Sequence, residues 1–356
     1  MRLASATGLA LLTLASCGMR EPPKPTFTLA WSVYVGYDPY PYMQRTGILK
    51  RWADKYNVDI QLRRLDYAAS IDAFVAKTVD ACAMTNMEAL DMPAAAGVDT
   101  TVLFIDDFSN GNDMILARGG SRLQDIPGEK VLLIEKTVSH YLLERAMALH
   151  GMESQIPKLS LINTTDVDIA AAFLNDPSIG AAVTWKPMAG QIESSGKAQR
   201  IFDSSQIPGE IIDVLAVQTE VLNRPDQSGD RFAKALTGAW YEVMSRMASA
   251  SAREEVLQKM AETSQDTLVA LKSQLATTQL FFDPAAALTF ANSSDTKQKI
   301  QLVRTFCFRH KLLGDHTQSM DDVAIQYPDK TVQGRPDRVR LRLAEKYMLA
   351  AAHRQL

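Results

Sequence analysis

The chain has 356 residues, 46% of them hydrophobic and 22% charged, a globular balance that suggests two domains and excludes disorder, collagen and coiled coil. Its 38 Lys and Arg against 41 Asp and Glu give a formal net charge of −3. No basic block is present to neutralise a run of phosphates, so nucleic acid is not an expected partner.

Arg2 precedes the apolar stretch Gly8 to Ala15 (GLALLTLA), which has signal-peptide length and falls well short of the ~20 residues of a membrane-spanning helix. Residues 1–16 are therefore expected to be an export signal. Leu14-Ala15-Ser16-Cys17 resembles the lipobox of bacterial lipoproteins, which implies that Cys17 is lipidated and opens the mature chain. Residues 17–25 are polar and Pro-rich, the composition of an extended tether. The expected location is the periplasm, with the lipid as the sole membrane attachment. Cys82 and Cys307 read as buried free thiols.

From Phe27 to Val35 the residues are β-branched and aromatic, a strand pattern; Met43 to Tyr56 reads as a helix, with the proline-rich run Tyr37 to Tyr42 (YDPYPY) as a rigid loop between. A strand over Asp59 to Leu65, a helix over Ser70 to Lys77, a strand over Asp80 to Met84, a helix over Asn86 to Ala96 and a strand over Thr101 to Ile105 follow. The pattern restarts after Asn112. Strands are expected at Met114 to Ala117, Lys130 to Ile134, Lys158 to Ile162 and Ala181 to Thr184, with helices at Ser139 to His150 and Asp166 to Leu174. Alternation of this kind indicates α/β lobes of the doubly wound class. Beyond Asp226 the residues Phe232, Leu236, Trp240, Val243, Met244 and Met247 recur on one helix face, and most of the remainder reads as helical.

Ligands of open parallel sheets lie beyond the carboxyl ends of the strands. The segments expected there hold nine acids, Asp38, Glu88, Asp91, Asp106, Asp107, Asp113, Glu135, Glu210 and Asp213, against two bases, Lys136 and Lys186. They also carry Trp31, Tyr34, Tyr37, Tyr40, Tyr42, Phe108 and Trp185. Rings beside carboxylates suit a small organic cation, whereas an anion would call for Arg or Lys, although helix starts at Asn86 and Ser139 offer amides to an anion. No G-x-S-x-G, Walker A, G-x-G-x-x-G after a strand or H-E-x-x-H sequence is present, so no enzyme chemistry is expected. No cofactor is expected. Cys307, His310 and His316 lack a fourth metal ligand, so no metal is expected either.

The segments AWSVYVGY, MTNMEALDMPAAAGVD, DFSNGND, VSHYLLERA, VTWKPM, DSSQIPGEIIDVLAV and LTGAWYEVM, together with the lipobox, resemble the solute-binding proteins of bacterial ABC importers of the nitrate/sulfonate/taurine class. Within it the similarity is greatest to the branch encoded beside urea carboxylase and guanidine carboxylase, the urea or guanidine transport binding proteins. The resemblance implies a type II periplasmic-binding fold of two lobes joined by two crossings. Lobe one would comprise residues 26–112 and 216–356, and lobe two residues 113–215. It implies a monomeric delivery module for a permease and an ATPase, with no catalytic activity of its own. It also implies ligand contacts at Trp31 and Tyr34, Asn86, Asp107 and Ser109, Ser139, Trp185, and Glu210 and Asp213. The acidic strand ends depart from an anion-binding pattern and favour guanidinium, with urea next and an anion third. An exported hydrolase using Ser139, His140 or Glu135, or a receptor's sensor lobe, are the other classes the residues leave open.

Overall fold

The computed structural model describes residues 23–356; Cys17 and residues 1–16 lie outside them. The chain opens with β1 (Thr26–Trp31), a single helical turn at Val35–Tyr37, then α1 (Pro39–Arg45) and α2 (Ile48–Lys55). The run YDPYPY, expected as a loop, is thus largely helical. Pro39 stands in the first turn of α1, where its missing amide hydrogen costs nothing. The single helix expected over Met43 to Tyr56 is instead two helices, parted at Gly47, whose φ of 74° suits glycine.

Next come β2 (Asp59–Arg64), α3 (Tyr67–Val75), β3 (Ala81–Thr85), α4 (Asn86–Ala89), β4 (Thr100–Ser109), β5 (Met114–Ala117), β6 (Lys130–Leu133), α5 (Val138–Leu149), β7 (Ser160–Asn163), β8 (Ala181–Thr184), β9 (Gln199–Asp203) and β10 (Ile212–Gln218). The helix expected over Asn86 to Ala96 stops early, in a wide turn containing Pro93, which has no amide to donate.

Residues beyond 216 are not helical throughout. They add β11 (Thr278–Leu280), β12 (Ala324–Gln326), β13 (Val332–Gln333) and β14 (Val339–Leu343) to the first sheet. That sheet runs β13-β12-β14-β4-β10-β3-β1-β2, with β11 on β4, and the second runs β7-β6-β8-β5-β9. The two-lobed α/β fold is the expected class, though the sheets are mixed. β10 is antiparallel to both β3 and β4, and β5 is antiparallel to β8 and β9.

The chain leaves the large sheet after Ser109, enters the small one at Met114, and returns between Asp203 and Ile212. Leu215, expected as the second lobe boundary, is therefore inside a strand of the large sheet, paired to Ala83 and Phe104. The expectation failed because the apolar run Val214–Val217 carries no mark of which sheet it joins.

The large lobe is closed by the helix Ser228–Ala248. Its expected face of Phe232, Leu236, Trp240, Val243, Met244 and Met247 is buried throughout. The Trp240 ring stacks on Phe104 at 5.2 Å and leans on Tyr40 at 5.1 Å, tying this helix to the strand and the helix that carry cleft residues. Full burial of one such side chain contributes ~1.5–3 kcal/mol.

Candidate functional site

Antiparallel β10 between β3 and β4 brings the start of one strand beside the ends of two others. Asp213 pairs in register with Thr85 on one side and Asp107 on the other, so acids distant in sequence meet at one sheet edge. Above that edge the turn Val35–Tyr37 and the start of α1 present tyrosines at three-residue spacing. The hydroxyl of Tyr34 donates to Asp107 Oδ1 at 2.8 Å, that of Tyr37 to Asp213 Oδ1 at 2.5 Å, and that of Tyr40 to Asp106 Oδ2 at 2.8 Å. Gly36 permits this approach, since a Cβ there would sit 2.0 Å from Asp107 Oδ2.

The small lobe faces this edge with Trp185, which follows β8, and Val138, which opens α5. Several contacts hold the lobes together. Trp185 Nε1 donates to the Val33 carbonyl at 3.1 Å, the Tyr67 amide donates to the Asp166 carboxylate at 3.3 Å, and the Val138 amide donates to Glu88 Oε1 at 3.0 Å. Between them lies a cavity of about 20 Å³ walled by Ser32, Tyr34, Tyr37, Tyr67, Thr85, Asp113, Val138, Trp185, Ile211 and Asp213. The rings of Tyr67 and Trp185 meet edge to face at 5.4 Å, and those of Tyr34 and Tyr37 at 5.1 Å. A volume of that size holds about one water-sized probe, so this closed arrangement excludes an extended organic molecule and leaves room for a compact solute only if the walls give slightly.

No Lys or Arg lines the cavity among the described residues. Lys136 is exposed, and Lys186 points its ammonium at the Ser273 carbonyl and Thr277 hydroxyl. Burial pushes the Asp213 carboxyl well above the usual carboxylate range, and the neighbouring Asp107 adds to this. Asp106 and Asp107 are raised likewise by burial. Asp113 is pushed up to about 6, again chiefly by burial. Asp106 Oδ1 and Asp107 Oδ2 are buried with no hydrogen-bond partner. Buried acceptors without donors are costly, and these two stand behind the cavity wall.

Of the residues expected to touch ligand, Tyr34, Trp185 and Asp213 line the cavity, and Asp107 stands behind Tyr34. The others have different surroundings. Trp31 ends β1 with Arg64 above its ring at 5.9 Å, away from the cavity. Asn86 is spent on the backbone of the return crossing, donating to the Glu210 carbonyl and accepting from the Ile212 amide. Ser109 shares its hydroxyl with Ser204 at 2.7 Å and accepts from the Asp113 amide, pinning the two crossings together. Glu210 accepts a bidentate pair from Arg145 at 2.9 and 3.1 Å and a hydrogen bond from Tyr141. The Ser139 hydroxyl is buried without a partner and does not reach the cavity wall.

Tyr67 was missed by sequence reasoning, although it opens the helix after β2 and so stands at a strand's carboxyl end. Asp113, one of the nine acids counted at the strand ends, also lines the cavity. A larger depression of about 680 Å³ beside Arg335, Arg338 and Arg340 lies elsewhere on the large lobe. Its guanidinium groups are already paired with Asp322, Asp337 and Asp99, and nothing from the small lobe reaches it.

No family model and no curated protein matches the sequence. Solved structures do match in fold. The alkanesulfonate-binding protein SsuA from Xanthomonas axonopodis pv. citri, bound to MOPS, superposes with a TM-score of 0.66 at 13% identity, over 83% of this chain and 96% of that one. The periplasmic aliphatic sulphonate binding protein SsuA from Escherichia coli gives 0.64 at 15% identity, over 82% and 94%. The periplasmic nitrate-binding protein NrtA from Synechocystis PCC 6803 gives 0.57 at 12% identity, over 93% and 99%. The desulfurization enzyme DSZB has the same fold at a TM-score of 0.53 and 15% identity, over 80% and 93%. At these identities the likeness establishes the architecture alone: the chain has the two-lobed fold of periplasmic binding proteins.

Proposed function

We propose that this protein is the solute-binding component of an ABC importer, capturing a small planar nitrogen compound between its lobes and delivering it to a membrane permease and its ATPase. Guanidinium is the preferred ligand. The observation that carries this reading is the cavity wall, where Asp213 and Asp113 stand among tyrosine and tryptophan rings with no base. A guanidinium ion supplies N–H donors and a positive charge, and the site offers carboxylates and ring faces to both. Asp213, supported by Tyr37, is the central acceptor, with Tyr34 and Trp185 as ring walls. Cys17 carries the lipid that holds the protein at the membrane in the periplasm.

Urea has nearly the same shape and is the second reading, separated from guanidinium by its lack of charge and by a carbonyl acceptor in place of an N–H donor. An anion is the third, favoured by the ligands in the names of the sulfonate-binding and nitrate-binding neighbours. The chain's own geometry opposes it. The N-terminus of α5, where the backbone amides would attract an anion, already receives the Glu88 carboxylate from the other lobe.

Calorimetric titration of the purified protein with guanidinium, urea, taurine and nitrate tests the reading. Guanidinium should bind most tightly. The same samples, analysed after incubation, should contain the ligand chemically unchanged, as a binding module requires.

A further inference from the structure

Away from the cavity, a second set of side chains joins the lobes. His140 and Glu144 lie one turn apart on α5 of the small lobe. His310 follows the helix Ser294–Arg309, which packs against α4 of the large lobe. One possible ligand atom each from His140, His310 and Glu144 lies within 4.8 Å of the other two. His310 Nε2 is 2.8 Å and His140 Nε2 3.4 Å from Glu144 Oε1, yet the buried Oε1 accepts no hydrogen bond. That oxygen therefore faces both imidazoles without an aligned N–H donor. The other Glu144 oxygen is held by Arg309 at 2.5 Å, which fixes the carboxylate and leaves one oxygen for a further partner. The Phe306 ring supports both imidazoles, at 5.4 and 4.3 Å.

We propose that His140, Glu144 and His310 form a binding site for a divalent transition-metal ion of the zinc type, bridging the two lobes. Two imidazole nitrogens and one carboxylate oxygen are the donor set of such an ion, whereas calcium or magnesium would want oxygen throughout. His310 is half-buried, which puts the cluster near the surface. Coordination through Nε2 of His140 moves the ring proton to Nδ1, which now accepts from the Lys136 amide at 3.3 Å. That hydrogen bond is given up when the ion binds. Because the donors come from both lobes, the ion binds the closed arrangement selectively and shifts the population toward it. The existence of this site does not depend on which solute the cavity takes.

The test is a calorimetric titration of zinc into the untagged protein, without organic ligand. Buried Cys82 and Cys307 do not compete for the ion. One ion per chain should bind with a dissociation constant of ~10 μM or tighter. His310→Ala, at the exposed edge, and the double variant His140→Ala with His310→Ala should each weaken it at least about tenfold, while His150→Ala should leave it unchanged. Cobalt should give the visible absorption of a tetrahedral site, lost in the double variant. Small-angle scattering should show a smaller radius with zinc than with a chelator. Zinc affinity unchanged in the double variant, or an affinity weaker than ~1 mM in the parent, would overturn the proposal and leave the cluster a latch between lobes.

Discussion

Replacing Asp213 by Asn removes one charge and almost no volume at the centre of the cleft. Asn keeps a carbonyl oxygen to accept from Tyr37, whose hydroxyl donates at 2.5 Å, so that pair survives. What is lost is a carboxylate facing a guanidinium ion in a site without compensating bases. A hydrogen bond to a charged partner contributes ~1.5–3 kcal/mol, and at ~1.4 kcal/mol per decade the variant should bind guanidinium about 10- to 150-fold more weakly. Urea, held by a neutral hydrogen bond of ~0.5–1.5 kcal/mol, should change by about tenfold at most. The ligand-free variant should melt no lower than the parent, because a buried carboxyl raised by burial and by Asp107 is costly to ionise. Calorimetry measures the affinities and differential scanning the melting point. A folded Asp213→Asn variant that binds guanidinium as the parent does would show that the carboxylate is structural.

Three further outcomes are expected. Asp113 has a folded value of about 6, above the ~3.9 of an unfolded aspartate, so its contribution to ligand-free stability is present below about pH 4 and is lost as pH rises through 6. Guanidinium affinity should accordingly rise from pH 5 to 7, read by calorimetry, whereas an affinity that falls over that range would mark an anion site. Gly36→Ala places a methyl 2.0 Å from Asp107 Oδ2, and an affinity loss of less than about tenfold would mean that this approach is not needed. Cys17→Ser should release the protein into the soluble periplasmic fraction, and unchanged membrane retention would contradict the lipid anchor.

The doubly wound order was legible because apolar runs of strand length alternate with helical periodicity, and the face of Phe232 to Met247 was legible because one long helix repeats it. The acid excess at strand ends was equally visible. Which acids converge was not, since Asp107 and Asp213 are neighbours only through the antiparallel β10, and strand polarity leaves no trace in the short run Val214–Val217 that follows Asp213. Trp31 was misplaced for a related reason: its ring belongs under Arg64, and Ser32 and Tyr34 face the cavity instead. β14, Val339–Leu343, escaped notice because its arginines alternate with apolar residues among polar surroundings, and only its pairing with β4 makes it a strand. Asn86, Ser109 and Glu210 carry residue types suited to a ligand, yet the crossings consume their hydrogen-bonding groups. A sequence does not show how a donor's capacity is divided between ligand and frame.

The central claim is that an acidic, aromatic cavity selects a cation. It is tested most directly by the dissociation constants of guanidinium, urea, taurine and nitrate, measured by calorimetry on the same parent protein at one pH. Loss of a charged hydrogen bond and a cation–π contact predicts that guanidinium binds at least about a hundredfold more tightly than urea, with no measurable heat from taurine or nitrate. Equal affinity for guanidinium and urea, or tighter binding of nitrate or taurine, would contradict it.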